Sequence, residues 1–167
     1  GSYTATVSID DSRYVADDLF ASVDIDPASA TVSFSSLSHV YDGTAKAATV
    51  ATVPAGVAVS LDYLPTPVVN AAAYGVTATS ADPNYVLTGT VDATLTIAKA
   101  VSPVEFSGPV SVVYTGTSQA VLSASLTLDP AATCTITYLP DAAPINVGSY
   151  VATANCAGQN HIGSAAA

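Results

Sequence analysis

The segment TCTITY, residues 133–138, decides the fold class because threonine alternates with apolar side chains along its whole length. Cys134, Ile136 and Tyr138 fall on one face of an extended chain and the threonines on the other, which predicts a half-buried β-strand. Residues 57–63 alternate in the same way. Since no stretch combines a helical apolar spacing with helix caps, the sequence predicts an all-β protein with little or no helix.

The next strand along the chain, residues 150–156, is predicted to pair with this segment in a hairpin whose turn lies near Ile145. In that register, residues whose numbers sum to 290 lie opposite each other, so that Cys134 faces Cys156 on the apolar side. We therefore predict a disulfide bond between the two cysteines, and two buried free thiols are the alternative. A disulfide favours an oxidising, extracytoplasmic compartment.

Beyond this hairpin, the chain repeats itself with a period of a little over 70 residues. Self-similarity at a fixed period is the signature of repeat architectures. The recurring landmarks are a strand that begins at a tyrosine, a Tyr-x-Gly loop, and a strand that ends in Tyr-Leu-Pro. Their members are Tyr3, Tyr74 and Tyr150 for the first, Tyr41 with Gly43 and Tyr114 with Gly116 for the second, and Tyr63 and Tyr138 for the third. We interpret these tyrosines and glycines as core and turn positions of the repeat.

The landmarks divide the chain into three parts. Residues 1–28 are predicted to be the C-terminal strands of a preceding repeat, or a donor-strand segment. Residues 29–100 form a complete repeat, and residues 101–167 form a second one that lacks its closing strand. In the complete repeat, this strand is DATLTIAK, residues 92–99. An unpaired sheet edge of this kind accepts a strand from another chain.

Short strands separated by Pro and Gly turns, in units of this size, predict small antiparallel β-sandwiches in tandem. Ig-like and β-grasp-like modules are the two architectures that fit. One of the turns is expected between Pro140 and Pro144.

Composition excludes several classes of function. Hydrophobic residues make up 50% of the 167 residues and charged residues 10%, which is far too apolar for a disordered chain. Only 3 residues are Lys or Arg against 13 Asp and Glu, for a net charge of −10, which argues against nucleic acid or an anionic membrane as a partner. No apolar run is long enough to span a bilayer, so we expect no membrane insertion in this segment.

Acidic residues concentrate near the N-terminus. Asp10, Asp11, Asp17 and Asp18 are weak candidates for binding Ca²⁺, which prefers carboxylate oxygens. The other interpretation, a solvated strand face, is the one we favour, because no Asp-x-Asp-x-Asp-Gly loop is present. We expect no metal site and no cofactor.

Catalytic constellations are scarce. The two histidines, His39 and His161, stand apart from any nucleophile motif, and His161 occupies a position that holds tyrosine in the other copies. No Gly-x-Ser-x-Gly elbow and no Gly-rich phosphate loop is present. The sequence therefore predicts that the protein is not an enzyme.

The repeat resembles a known family of domains. VYDGTAK at residues 40–46, NAAAY at 70–74 and TLTIAKA at 94–100 are similar to the MBG and YDG-type repeats, relatives of bacterial Ig-like modules in very large secreted or surface proteins. The resemblance covers the whole middle repeat and, more loosely, residues 101–164, where Thr115 replaces the loop aspartate. It implies tandem all-β modules on adhesins or stalks, without an enzymatic role, and it carries over no binding residue.

These observations predict a structural repeat of a secreted or cell-surface bacterial protein that forms a stalk or an extracellular fibre. Its expected partners are neighbouring repeats or other copies of itself, joined head to tail when residues 19–28 of one chain complete the last repeat of another. The alternative is an adhesin module that binds carbohydrate or a host-surface ligand, which would display exposed aromatic residues on one face.

Overall fold

The computed structural model describes residues 1–141 and 144–167, and these residues form β-strands and no helix. The predicted all-β class is therefore confirmed. The centre of the turn predicted between Pro140 and Pro144, residues 142–143, lies outside the described residues. The strands are β1 Ser2–Val7, β2 Leu19–Asp24, β3 Ala28–Ser35, β4 Ser38–Val40, β5 Thr49–Val53, β6 Val59–Leu64, β7 Ala72–Ser80, β8 Tyr85–Thr88, β9 Asp92–Ala98, β10 Ala100–Val101, β11 Val104–Ser107, β12 Ser123–Leu126, β13 Thr133–Leu139, β14 Val151–Ala157 and β15 His161–Ala166.

The described strands form small sheets, with neighbours in the orders β1-β2, β5-β3-β8, β4-β9-β7-β6, β11-β12 and β10-β15-β14-β13. The chain also divides into two compact units. One comprises residues Gly1–Phe34, Val50–Asp62 and Thr77–Asp92, and the other comprises Ser35–Thr49, Tyr63–Val76 and Ala93–Ala167.

Among the described residues, three strand pairs are parallel, whereas the sequence predicts antiparallel modules. Strand β3 pairs with β8 through Ala28 opposite Tyr85, β4 with β9, and β10 with β15 through Ala100 opposite His161. The difference has a physical reason: alternation of apolar residues specifies which face is buried, but it does not specify the partner or the direction of a strand. The partners in each pair lie far apart in sequence, so no hairpin turn in the sequence predicts their pairing.

The third repeat is built on an antiparallel meander of β13, β14 and β15. Its first hairpin has the predicted register, with Cys134 opposite Cys156 and Ile136 opposite Ala154. Leu126, Ala154 and Cys156 are buried at the centre of a cluster to which Phe106 and Ile136 also contribute. Both β11-β12 and the meander therefore supply side chains to this core, and their burial stabilises the repeat. The Ig-like and β-grasp-like assignments remain predictions.

Strands β1 and β2 form an antiparallel two-stranded ribbon, the N-terminal ribbon, with Tyr3 opposite Val23 and Ala5 opposite Ala21. Tyr3, Val23 and Ile25 share one face with these alanines, and all of them are exposed. Tyr3 therefore does not lie in a core, in contrast to the sequence prediction, because the described residues place no second layer over this face of the ribbon.

Candidate functional site

The Tyr-Asp-Gly loop that follows β4 is a closed polar turn. Asp42 accepts hydrogen bonds from the backbone N–H of Thr44 at 2.9 Å and from its hydroxyl at 2.6 Å. Lys46 Nζ donates to Asp42 Oδ2 at 2.5 Å and to Thr44 Oγ1 at 2.9 Å. Gly43 has φ of +81°, which a side chain would disfavour. The lysine and the Thr44 donors hold the pKa of Asp42 well below its usual value of 3.8.

The third repeat builds the same loop without charge. Thr115 and Thr117 hydroxyls lie 2.9 Å apart, Gln119 donates to Thr115, and Gly116 has φ of +76°. The loops are also anchored alike, since the backbone N–H of Lys46 donates to Val68 O at 2.9 Å and that of Gln119 to Pro144 O at 2.7 Å. Because the geometry persists when the ion pair is replaced by neutral groups, the loop acts as a structural turn.

The repeated tyrosines direct their hydroxyls to the backbone of their own repeat. Tyr63 accepts from Ala48 N–H at 2.9 Å and Tyr138 from Leu122 N–H at 3.3 Å. Tyr74 donates to Asn70 O at 2.8 Å, and Tyr150 donates to Asn146 O at 3.0 Å. These four hydroxyls therefore brace loops within the repeats. Tyr41 is half-buried beside His161, and Tyr114 is exposed.

Cys134 and Cys156 are joined by a disulfide bond, with Sγ atoms 1.95 Å and Cα atoms 4.0 Å apart. The bond connects β13 to β14 on the buried side of the meander, where Cys156 belongs to the core cluster. The two cysteines are 22 residues apart in the sequence. Because the bond closes this loop, it restricts the conformations of the unfolded chain and so stabilises the hairpin.

The acidic residues near the N-terminus do not converge. Asp11 accepts from the Arg13 side chain and backbone, and these contacts lower the pKa of Asp11. Asp10, Asp17 and Asp18 are exposed. Within residues 1–141 and 144–167, no three His, Cys, Asp or Glu side chains lie close enough together to hold a metal ion.

The middle and third repeats meet in a polar contact that we call the repeat joint, formed by Asn70, Ala71, Lys99, Gly158 and Asn160. Asn160 Nδ2 donates to Asn70 Oδ1 at 3.0 Å, while Asn160 Oδ1 accepts from Ala71 N–H at 2.8 Å. Lys99 Nζ donates to Gly158 O at 2.6 Å. Both groups of residues belong to the second compact unit. The joint thus fixes the third repeat on the middle one through side-chain and backbone groups of both.

Two aromatic rings extend the joint. Tyr41 and His161 meet edge to face with ring centroids 5.3 Å apart, a favourable geometry for aromatic pairs. The connection itself is short, because Lys99 alone separates β9 from β10. A one-residue connection leaves little freedom for bending.

The third repeat also has an open groove of about 470 Å³ between residues 109–114 and residues 144–150. Its walls include Val110, Val112 and Val147, which are exposed. Tyr138 lies at its base and is buried. The groove is therefore an open surface within one repeat that has both polar and apolar side chains.

The model of the MBG domain family matches the chain twice, at residues 30–101 and at residues 107–167. The chain belongs to the MBG domain family. No similar protein was found among curated sequences. MBG repeats are generally non-catalytic structural or adhesin-like domains, and they usually occur in extracellular or surface proteins. None of the described segments is a helix with the length and hydropathy needed to cross a bilayer.

Sequence reasoning missed the joint between the two MBG repeats. A signal was present, because Asn84-Tyr85 and Asn160-His161 occupy the same position in the two repeats. The backbone uses this asparagine alike in both, since Asn84 O accepts from Ala28 N–H at 2.8 Å and Asn160 O from Ala100 N–H at 2.9 Å. The recurring asparagine before β8 and β15 therefore indicates a position with a structural role. The sequence does not indicate that Asn70 is the side-chain partner of Asn160.

Proposed function

We propose that this chain is a non-enzymatic structural segment of a secreted or cell-surface bacterial protein, in which MBG repeats are joined into an extracellular stalk or fibre. In the fibre form, chains join head to tail by strand complementation. The observation that carries the proposal is the repeat joint, because a stalk needs consecutive repeats held in a fixed orientation.

The joint supports this role through the number and kind of its contacts. Asn160 uses both ends of its amide, and Lys99 binds a backbone carbonyl across the joint. Such contacts are directional, so they resist rotation as well as separation. Since only Lys99 connects β9 to β10, bending would have to break these hydrogen bonds.

Composition and side-chain use support the same role. With three Lys and Arg residues in 167, the chain offers few sites to trypsin-like proteases, and a disulfide suits an oxidising environment. The hydroxyls of Tyr63, Tyr74 and Tyr138 bind the backbone of their own repeats rather than a ligand. These features favour mechanical persistence over recognition of a soluble partner.

The test is to weaken the joint and measure the coupling of the two repeats. Asn160→Ala is expected to separate the unfolding of the third repeat from that of the middle repeat in a calorimetric scan, and to broaden the distance distribution in small-angle X-ray scattering, because it removes two hydrogen bonds. Asn155→Ala is the matched control, since Asn155 is exposed on β14 and lies outside the joint. Scans and scattering curves of Asn160→Ala that match those of Asn155→Ala would contradict the proposal.

A further inference from the structure

We propose that the bond between Asp42 and Gly43 is the site in this chain where isoaspartate forms, and that Lys46 and Thr44 hold the reaction back while the loop is folded. The inference concerns a covalent modification of the Tyr-Asp-Gly loop. It goes beyond the proposed function and does not depend on it.

The sequence selects this bond because Gly43 is the only glycine in the 167 residues that follows an aspartate or an asparagine. Isoaspartate forms when the backbone nitrogen of the following residue attacks the carboxyl carbon of the aspartate. A side chain on that following residue obstructs the approach, and glycine has none. Apart from the chain neighbours of Gly43, the nearest described atom to a Cβ built on it is the Tyr41 hydroxyl oxygen, 4.0 Å away. The nitrogen of Gly43 therefore lies in an open part of the loop.

The reaction consists of a ring closure and a ring opening. In the closure, Gly43 N forms a bond to Cγ of the protonated Asp42 carboxyl, and the carboxyl OH and the amide proton leave as water, with solvent carrying the proton. The product is a cyclic succinimide. Water then opens the ring. Attack of water at Cγ restores aspartate, whereas attack at the main-chain carbonyl carbon of Asp42 gives isoaspartate, in which the backbone runs through Cβ and Cγ. The reaction requires only water.

The folded loop opposes ring closure because both carboxylate oxygens of Asp42 are engaged. Oδ1 accepts from the Thr44 N–H at 2.9 Å and from its hydroxyl at 2.6 Å, and Oδ2 accepts from Lys46 Nζ at 2.5 Å. Because Cγ must turn one of its faces toward Gly43 N before a bond can form, the side chain has to rotate out of these contacts.

The same contacts oppose protonation of the carboxylate. Ring closure needs a protonated carboxyl, since an ionised carboxylate has no OH to lose. Hydrogen bonds from Lys46 and Thr44 stabilise the ionised form and lower the pKa of Asp42. The reactive form is therefore rarer in the folded loop than in an unfolded chain.

Lys46 is held in place for this role. Its side chain is 15% exposed, whereas that of Asp42 is 54% exposed. Nζ also donates to Thr44 Oγ1 at 2.9 Å, and the backbone N–H of Lys46 donates to Val68 O at 2.9 Å. The side chains of Asp42, Thr44 and Lys46 thus form a closed set of hydrogen bonds on a fixed backbone.

The third repeat avoids the reaction by its chemistry. Thr115 precedes Gly116 in the equivalent loop, and a threonine side chain has no carboxyl carbon that a backbone nitrogen could attack. At the position of Lys46 this loop has Gln119, which is uncharged. The lysine is therefore present in the loop that contains Asp42 and absent from the loop that does not need it.

Isoaspartate at Asp42 would alter the loop next to the repeat joint. The rearrangement inserts a methylene group into the main chain and moves the carboxylate onto Cα, away from its partners. Tyr41 directly precedes this linkage. Its N–H donates to Ala98 O at 2.9 Å, and its ring lies 5.3 Å from that of His161. Formation of isoaspartate is therefore expected to weaken the aromatic contact that extends the joint.

The test follows Asp42 in the full chain at neutral pH, below the melting temperature, in water enriched in the heavy oxygen isotope. Each ring opening places a solvent oxygen in the product, so mass spectrometry of peptides that contain Asp42 detects the succinimide route even when aspartate is restored. Fragment ions separate the isoaspartate linkage from the aspartate linkage. A synthetic peptide of residues 38–48 is the unfolded reference. We expect it to react at least ~10-fold faster than the folded chain, the factor that corresponds to one charge-assisted hydrogen bond.

Two variants separate the charge of Lys46 from other effects of substitution. Lys46→Gln introduces the residue of the third repeat and is expected to raise the rate roughly 10-fold. Lys46→Arg keeps the positive charge and should react at close to the wild-type rate. Circular dichroism establishes that each variant is folded.

Either of two outcomes would overturn the inference: a folded wild type that reacts as fast as the peptide, or a folded Lys46→Gln that reacts no faster than Lys46→Arg. The comparison of wild type and peptide needs no variant, so it decides the matter even where a substitution prevents folding. Neither outcome changes the calorimetric result for Asn160→Ala, so the two proposals fail separately.

Discussion

At the scale of single residues, Asp42 shows which part of the Tyr-Asp-Gly loop depends on charge and which part depends on backbone geometry. Its carboxylate accepts hydrogen bonds from Thr44 and from Lys46. In the third repeat, Thr115 stands at the equivalent position and makes a neutral hydrogen bond with Thr117. The shared loop geometry thus depends on hydrogen bonds and on the positive φ of Gly43 and Gly116. The ion pair adds to this loop a dependence on pH that the uncharged loop at residues 114–119 lacks.

The first prediction concerns acid. The folded-state pKa of Asp42 is lowered below its usual value of 3.8, so its contribution to stability is present above that value and is lost as pH falls toward the folded pKa. The difference in melting temperature between the wild type and Asp42→Asn should therefore shrink as pH is lowered from about 6 to about 2. Melting curves followed by circular dichroism measure this difference. A gap that stays constant over the range would show that the ionised carboxylate contributes nothing.

At the scale of elements, the disulfide stabilises one hairpin of a fold that does not depend on it. The matching positions in the middle repeat hold Val59 and Ser80, and that repeat forms the equivalent strands β6 and β7. Cross-linking two strands that already pair mainly restricts the unfolded chain. The bond is therefore an addition to the third repeat and not a requirement of its fold.

The second prediction follows from this arrangement. Replacing Cys134 by Val and Cys156 by Ser should lower the free energy of unfolding of the third repeat by about 3 kcal/mol, the value expected for a loop of this size. The strands should still form, because the middle repeat builds them with these residues. Denaturant titrations with and without reductant provide the measurement. The wild type should respond to reductant and the double variant should not, and loss of all β-structure from the variant would contradict the prediction.

Whether a segment of this protein forms a strand depends on more than its own sequence. Residues 111–113 and β4 occupy corresponding positions, yet only β4 is a strand. The local sequences SVV and SHV have similar β propensity. In the middle repeat, β4 pairs in parallel with β9, which satisfies its backbone groups.

At the scale of the whole molecule, the few basic residues lie in different parts of the chain, so cleavage after each one tests the exposure of a different segment. The three are Arg13, Lys46 and Lys99. Arg13 lies in the turn between β1 and β2 with its side chain 82% exposed. Lys46 is 15% exposed in its ion pair, and Lys99 is held by Gly158 O in the joint.

The third prediction is that limited trypsin digestion cuts first after Arg13 and leaves residues 14–167 intact. Proteases need an exposed segment that can open locally, and the two lysines are held by their contacts. Mass spectrometry of timed samples identifies the cleavage sites, with the reduced and denatured chain, cut after all three residues, as the control. Cleavage after Lys99 as early as after Arg13 would show that the joint opens readily.

Much of this fold could be predicted because its signals are local. The strict alternation at residues 133–138 indicated a strand, and the matched parity of residues 150–156 indicated the hairpin register that is observed. The recurrence of the Tyr-x-Gly loop and related landmarks indicated the repeat and its family. These features depend on neighbouring residues or on comparison of the chain with itself, and neither requires knowledge of distant contacts.

The sequence by itself determined the all-β class, the repeat and the pairing of β13 with β14, because side-chain alternation and tight turns act over a few residues. Tertiary structure alone decided the parallel pairs β3-β8 and β10-β15, the choice of Asn70 as the partner of Asn160, and the exposure of Tyr3. Each of these depends on which remote segment comes to lie beside a strand. A period-2 pattern states that a face will be buried, but the partner that buries it is selected by packing of the whole chain.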